Sequence, residues 1–276
     1  MNKNRTALVF CLTLPLLSAC GPSEIEEEEL ALYKSRGLDF YQGAQYEPAR
    51  DQFEKALTLD PDDDEILLML GYTYLLQPKG DMIIRAGDVF MECLKRNDQE
   101  YRAHLGYGVT CFLMGVFFDA EANRKRKSAI DYENLLDPDD SPDLQAEQER
   151  QIKRHRDEAL KDSERAQLWY LKAHDPFATA LELEPTNPFI LQMLAFNQTK
   201  MGMDHFPQAL HYLDQFIDMR QGDLDVYYQN LRLARDADIL TRDEELTVVR
   251  SITRTETDVR RARSFSAWML LVLAEA

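Results

Sequence analysis

A glycine recurs in this chain at a spacing of 34 residues, and small and aromatic residues recur with it. Gly37 is followed by Phe40, Ala49, Phe53, Ala56 and Pro61 at steps of 3, 9, 4, 3 and 5. Gly71 lies 34 residues after Gly37 and opens a second copy with Tyr74, Ala86, Phe90, Cys93 and Asp98. The second half of that copy is delayed by three residues, the length of Pro78-Lys79-Gly80. Gly108 falls 37 residues after Gly71, the same period plus the same three. A period of this length means stacked units of secondary structure, none of which can bury its apolar face alone. Small side chains at Gly37, Gly71, Gly108, Ala49, Ala56 and Ala86 let antiparallel helices approach. Rings at Phe40, Tyr74, Phe53 and Phe90 fill the space between them, and Pro61 stops the second helix.

These steps, with Tyr33 in the first aromatic position, resemble the tetratricopeptide-repeat family. The signature returns as Ala173, Phe177, Ala180 and Pro185, followed by Leu191, Leu194 and Ala195 and then by Ala209, Leu213 and Phe216. The resemblance implies two strong repeats, a third opening at Tyr101 and one or two weaker ones after Ala173. Residues 119–172 depart from it. They are dense in charge, with a turn cluster over 137–142, and Leu144 to Lys172 reads as one long helix without Gly or Pro. Pro176 is expected to start a helix with Asp175 as its N-cap. Trp268 to Leu273 is apolar on every face, too short to cross a bilayer, and expected to be buried as a cap on the last repeats. The fold expected is an all-α helical-repeat solenoid with a charged helical insertion and a C-terminal capping helix. Its segments are a leader at 1–19, a tether at 20–29, repeats at 30–118, the insertion at 119–172, and repeats with capping helices at 173–276.

The leader is set apart from the fold. Lys3 and Arg5 precede an apolar stretch from Ala7 to Leu17, and Leu17-Ser18-Ala19-Cys20 follows. That tetrad resembles a bacterial lipobox. The resemblance implies that Cys20 is diacylated on sulfur, becomes the mature N-terminus and is acylated on nitrogen. The plainer alternative is an ordinary secretory signal that happens to contain a cysteine. Acyl chains of this number hold a protein to a membrane without spanning it. Gly21 after the cysteine resembles a sorting signal for the outer membrane, so the expected location is its periplasmic side.

Charge and motif searches narrow the function further. The net charge of -17, which becomes -19 once Lys3 and Arg5 leave with the signal, opposes nucleic-acid binding, because phosphate backbones are captured by clustered cations. Asp60 to Asp64 has acids at three calcium-loop positions but lacks the glycine and the final glutamate, so it reads as a helix-capping turn. His155-Arg156-Asp157 stands without a glycine loop or DFG, Gly106-Tyr107-Gly108 lacks a third glycine, and the five histidines are scattered. No catalytic constellation, metal site or cofactor motif emerges. Three basic runs, at 124–127, 153–156 and 260–263, read first as partners of nearby acids on solvated helices. A sharper reading is contact with anionic lipid.

What remains is a surface for partners. In the family resembled, set positions of each first helix face a concave groove; here they include Lys34, Leu38, Tyr41, Leu68, Tyr72, Leu75, Leu105, Val109 and Phe112. Of the cations that clamp an acidic chain terminus in some relatives, Lys34 and, loosely, Arg102 match. The groove therefore suits an apolar or amphipathic peptide better. The expected function is that of a non-catalytic, membrane-anchored adaptor for protein partners in assembly of an envelope, secretion or pilus complex. The alternative is a small-ligand carrier working with a transporter. Cys93 and Cys111 occupy facing positions and allow either a disulfide or two buried free thiols.

Overall fold

The computed structural model describes residues 24–275 except 78–79, 138 and 237–240, and every regular element among them is helical. The leader and Cys20 lie outside the described residues. Helices α1 (Glu24–Gln42) and α2 (Tyr46–Leu59) form a first antiparallel pair, α3 (Asp64–Leu75) and α4 (Gly80–Arg96) a second. Two long helices follow, α5 (Tyr101–Glu133) and α6 (Pro142–Leu183). The chain continues as α7 (Pro188–Met201), a 3-10 turn at Met203–His205, α8 (Phe206–Asp236) and α9 (Arg242–Glu275). Residues 24–29, expected as tether, already belong to α1: the run Glu24 to Leu32 has no glycine or proline, and glutamates favour a helix N-terminus.

Close contact between a glycine on one helix and a ring on its partner sets the register of each pair. A methyl group at Gly37 would come within 2.5 Å of the Phe53 ring, and one at Gly71 within 2.7 Å of the Phe90 ring. At Gly108 the ring within 2.6 Å is that of Phe177. Ala173, Phe177 and Ala180 are therefore the second half of the third repeat and not of a fourth. They close a cluster with Leu105, Cys111, Ile190 and Leu194. The fourth pair is α7 with α8, whose Leu191, Ala195, Ala209, Leu213 and Phe216 share one core. Gly202, at φ 117°, ends α7 in a conformation that only glycine adopts without strain.

This register corrects the expectation of a separate insertion. The residues between Gly108 and Phe177 extend the third repeat's two helices into a long antiparallel hairpin, and the boundaries at 119 and 172 fall inside α5 and α6. The hairpin repeats the glycine–ring contact one heptad further on, where a methyl at Gly115 would meet the Tyr170 ring at 2.4 Å. Beyond it the seam holds Ala122 and Ala129 against Ile152, Ala159 and Ala166, all buried. Small residues every seven positions let two helices run close along their whole length. Pro176 sits inside α6 and starts no helix. The missing amide hydrogen bond costs about 3 kcal/mol in a helix interior, and the burial of Phe177 and its neighbours offsets it.

One charge is buried in that seam. Asp162 is 4% exposed and accepts from Lys125 Nζ at 2.6 Å and Arg165 Nη1 at 3.1 Å. The Lys125 hydrogen bond outweighs burial and holds the carboxyl below the ordinary carboxylate range. A depressed pKa contributes stability that is complete above the unfolded value, about 3.9, and is lost as pH falls through the folded one. The hairpin should therefore keep its amide hydrogen-exchange protection down to about pH 4 and lose it below. Asp162→Asn should cost about 1.5–3 kcal/mol at neutral pH and flatten that acid limb. An unchanged acid limb in the variant would assign the effect to other carboxylates.

At the far end, α8 and α9 form a second long hairpin around Leu224, Leu231, Ile252 and Val259. The C-terminal half of α9 then lies on the fourth repeat through Ala262, Met269 and Phe265. This is the expected cap, with one correction: Trp268 to Leu273 is not buried on every face. Met269 is fully buried, but Trp268, Leu270 and Leu271 are 50%, 57% and 58% exposed. A helix packed on one side of a solenoid buries one stripe only.

Candidate partner-binding surface

The sequence placed the partner groove on the first helices of the repeats, and the structure brings part of it together. Lys34, on α1, reaches across to Asp63, the N-cap of α3, which also accepts from the Ile66 amide at 3.0 Å. Burial opposes the charge on Asp63, yet Lys34 and that amide keep its carboxyl below the usual range. Arg102 sits between Glu100 and Glu65, with contacts of 2.9–3.0 Å to each. Its charge is fixed by Glu100 first and Glu65 second. Both cations that could have received an acidic chain terminus are thus engaged by the protein's own carboxylates.

The apolar members of that groove divide. Leu68 and Leu105 are buried and belong to the core, a correction to their expected place on an open surface: each faces the neighbouring helix pair. Tyr72 is half-buried, set edge-on against Phe90 at 5.1 Å, with its hydroxyl donating to the Arg102 carbonyl at 2.7 Å. Burial pushes its phenol pKa up, so it stays a neutral donor. Tyr41, Leu75, Val109 and Phe112 are half-buried, Phe112 lying 5.6 Å from Tyr170. Leu38 alone of these apolar residues is exposed.

A second surface escaped the sequence reading. Ile84, Gly87 and Met91 of α4, Tyr107 and Met114 of α5, and Trp169 and Lys172 of α6 line a groove of about 250 Å³. Its walls are mostly apolar, with Ile84 and Met91 projecting into solvent and the exposed Asp88 carboxylate between them. Gly87 lets α4 and α5 close up, since a methyl there would stand 3.1 Å from Thr110 Cγ2. The Lys172 ammonium lies 4.7 Å from the Trp169 ring centre and 5.5 Å from that of Tyr107, which leaves a fixed positive charge at one end. The available signal was a second helical stripe, Ile84 to Met91 and Tyr107 to Met114, beside the stripe that forms the core.

Cys93 and Cys111 are free thiols, so the disulfide alternative falls. Cys93 belongs to the core of the first two repeats and Cys111 to that of the third. Burial raises each thiol to about 11, leaving both protonated and poorly nucleophilic at neutral pH. Among the described residues, no three His, Cys, Asp or Glu side chains converge on a common point.

Residues 37–77 match the family model of the TPR repeat, and the helix-pair geometry continues from there. Over those residues the chain carries the tetratricopeptide repeat. Among solved structures, MamA is similar over 85% of this chain and 96% of its own, at 16% identity and a TM-score of 0.44. TTC0263, a thermophilic TPR protein in Thermus thermophilus, is similar over 74% of this chain and 96% of its own, at 20% identity and a TM-score of 0.32. No curated protein matches the chain in sequence.

Proposed function

We propose that the protein is a non-catalytic adaptor, held by acylated Cys20 on the periplasmic side of an outer membrane, that docks protein partners for assembly of an envelope, secretion or pilus complex. The observation that carries this reading is the groove between α4, α5 and α6. An apolar trough with Trp169 and Tyr107 in its wall and both Lys172 and Asp88 in its lining suits an amphipathic segment that presents apolar side chains beside polar ones. The long hairpin of α5 and α6 gives that trough a rigid wall.

Two experiments test the two halves of the reading. Ile84→Asp with Met91→Asp should leave helicity unchanged and release proteins that co-purify with the native chain from its own membranes. Retention of all of them would move the docking surface elsewhere. Cys20→Ala should abolish acyl labelling and leave the precursor unprocessed, and normal maturation of that variant would exclude the anchor.

A further inference from the structure

The three basic runs differ in what surrounds them. In the first, Arg124 pairs with Glu121 and Lys125 with Asp162; in the second, Arg156 reaches Glu133 across the hairpin. The third, on α9, is unlike both. From Leu246 to Ala274 the exposed positions include Arg250, Arg254, Arg260, Arg261 and Arg263, and no carboxylate. The two acids of that stretch are half-buried beside α8 and engaged there, Glu256 in the cleft that Arg260 also lines. Glu256 accepts from the Tyr228 hydroxyl at 2.5 Å, and Asp258 pairs with Arg220 at 3.4 Å. Among the described residues, none of Arg250, Arg254, Arg260 and Arg261 meets an acid. A protein of net charge -17 thus keeps, between Arg250 and Leu271, a stretch of helix face whose exposed charges are cationic, with Asp243 a heptad before it at the start of α9.

The same face ends in apolar groups. At 3.6 residues per turn, Arg250, Arg254, Arg260 and Arg261 share the outward side of α9 with Trp268 and Leu271. Trp268 is held there by stacking on Phe265 at 5.6 Å, with the rings 8° apart, and it remains half exposed. Arginines, an indole and a leucine on one face combine the groups that meet headgroup phosphates with those that enter the acyl boundary.

We propose that the outward face of α9 binds an anionic phospholipid surface, with Arg254, Arg260 and Arg261 on headgroup phosphates and Trp268 and Leu271 inserted at the acyl boundary. Charge complementarity selects this occupant. A second copy of the chain, paired through the same face, would bury arginines against arginines or against apolar groups with no carboxylate to receive them. An acidic protein would satisfy the arginines but leave Trp268 and Leu271 without a role. The contact does not depend on Cys20, and its readout is local to α9.

The test uses the full chain with Trp169→Phe, which leaves Trp268 as the only tryptophan. On vesicles of phosphatidylglycerol with brominated acyl chains, Trp268 emission should shift to the blue and be quenched. Phosphatidylcholine vesicles should give neither effect, and added salt should reverse both. Arg254→Gln with Arg260→Gln and Arg261→Gln should weaken the response about a hundredfold, at roughly fivefold per arginine. The difference between the native chain and Trp268→Phe reports the same signal should Trp169→Phe disturb α6. Three outcomes overturn the proposal. Vesicle binding without Trp268 quenching would assign attachment to the leader or the acyl anchor alone. A blue shift that grows with protein concentration without vesicles would assign the face to a second copy. A shift with soluble polyglutamate but no quenching by brominated lipid would assign it to an acidic protein.

Discussion

Phe90→Ala should be among the most damaging single substitutions in the repeats, costing about 3–5 kcal/mol. The ring is fully buried between two backbones. Methyl groups at Gly71 and Gly106 would fall 2.7 and 2.3 Å from it, on α3 and α5 respectively. Loss of the ring therefore leaves a void walled by glycines, which have no side chains to collapse into it, and this places the cost near the top of that range. Gly106→Ala alone should also destabilise, because overpacking costs about 1–3 kcal/mol against a helix-propensity gain of about 1 kcal/mol. Combined with Phe90→Leu, the added methyl occupies space the ring has vacated. The double variant should then be more stable than the sum of the singles by about 0.5–3 kcal/mol. Urea unfolding followed by circular dichroism measures all four corners of this cycle, read as midpoint shifts at constant slope. Strict additivity would mean that the glycine and the ring do not fix the approach of α4 and α5.

That contact also explains what could be read from the sequence. The spacing of Gly37, Gly71 and Gly108 reports a packing requirement, a backbone brought against a ring, and it survives insertion because the contact is local to one helix pair. The partner of Gly108 was harder to find, since Phe177 lies 69 residues further on and follows a charged stretch. The linking signal was a change of period. Gly108, Gly115, Ala122 and Ala129 are seven apart, as are Ile152, Ala159, Ala166, Ala173 and Ala180. A 34-residue repeat that continues as a small-residue heptad describes one pair of helices grown longer. Pro176 and the charge density drew attention from it, because local propensity disfavours a helix there while tertiary packing restores it.

The candidate sites were less legible for a different reason. Position within a repeat tells which side chains leave a helix on its inner face, but not whether the next helix pair covers them. Leu68 and Leu105 are covered and Leu38 is not. Lys34 and Arg102 kept their positions and lost their availability, because Asp63, Glu65 and Glu100 lie close enough to engage them. The groove at Trp169 needs three helices, one of them distant from the other two in sequence, and no single-helix pattern can show it. The α9 face was visible as a basic run. Its lack of acidic partners depends on Tyr228 and Arg220 of α8 engaging Glu256 and Asp258, which only packing decides.

Truncation before Arg263 should unfold or aggregate the C-terminal module. The cut removes Phe265, Met269, Val272 and Leu273 from the core that contains Leu191, Ala195, Phe206, Leu213 and Phe216. Full burial of a large apolar side chain contributes about 1.5–3 kcal/mol; with Met269 fully buried and Phe265, Val272 and Leu273 partly so, their sum approaches the lower end of the roughly 5–15 kcal/mol that a whole domain has in hand. A rival role for this segment is that of a plug lying in the groove of the first repeats and released by a partner. Its geometry speaks against that: Trp268 stacks on Phe265 and lies 5.9 Å from Phe206, within the C-terminal module, and not on Tyr72 or Leu105. Met269→Ala separates the roles without removing chain. It should cost about 2–5 kcal/mol, because the side chain is fully buried, whereas Trp268→Ala, half exposed, should cost about 1 kcal/mol. Thermal unfolding of the two variants should show that order, with loss of helical signal in the truncated chain at temperatures where the native protein is intact. A truncated chain that stays folded and binds its partners more tightly would reverse the assignment and make the segment an inhibitor, since only a contact that competes with ligand can raise affinity by leaving.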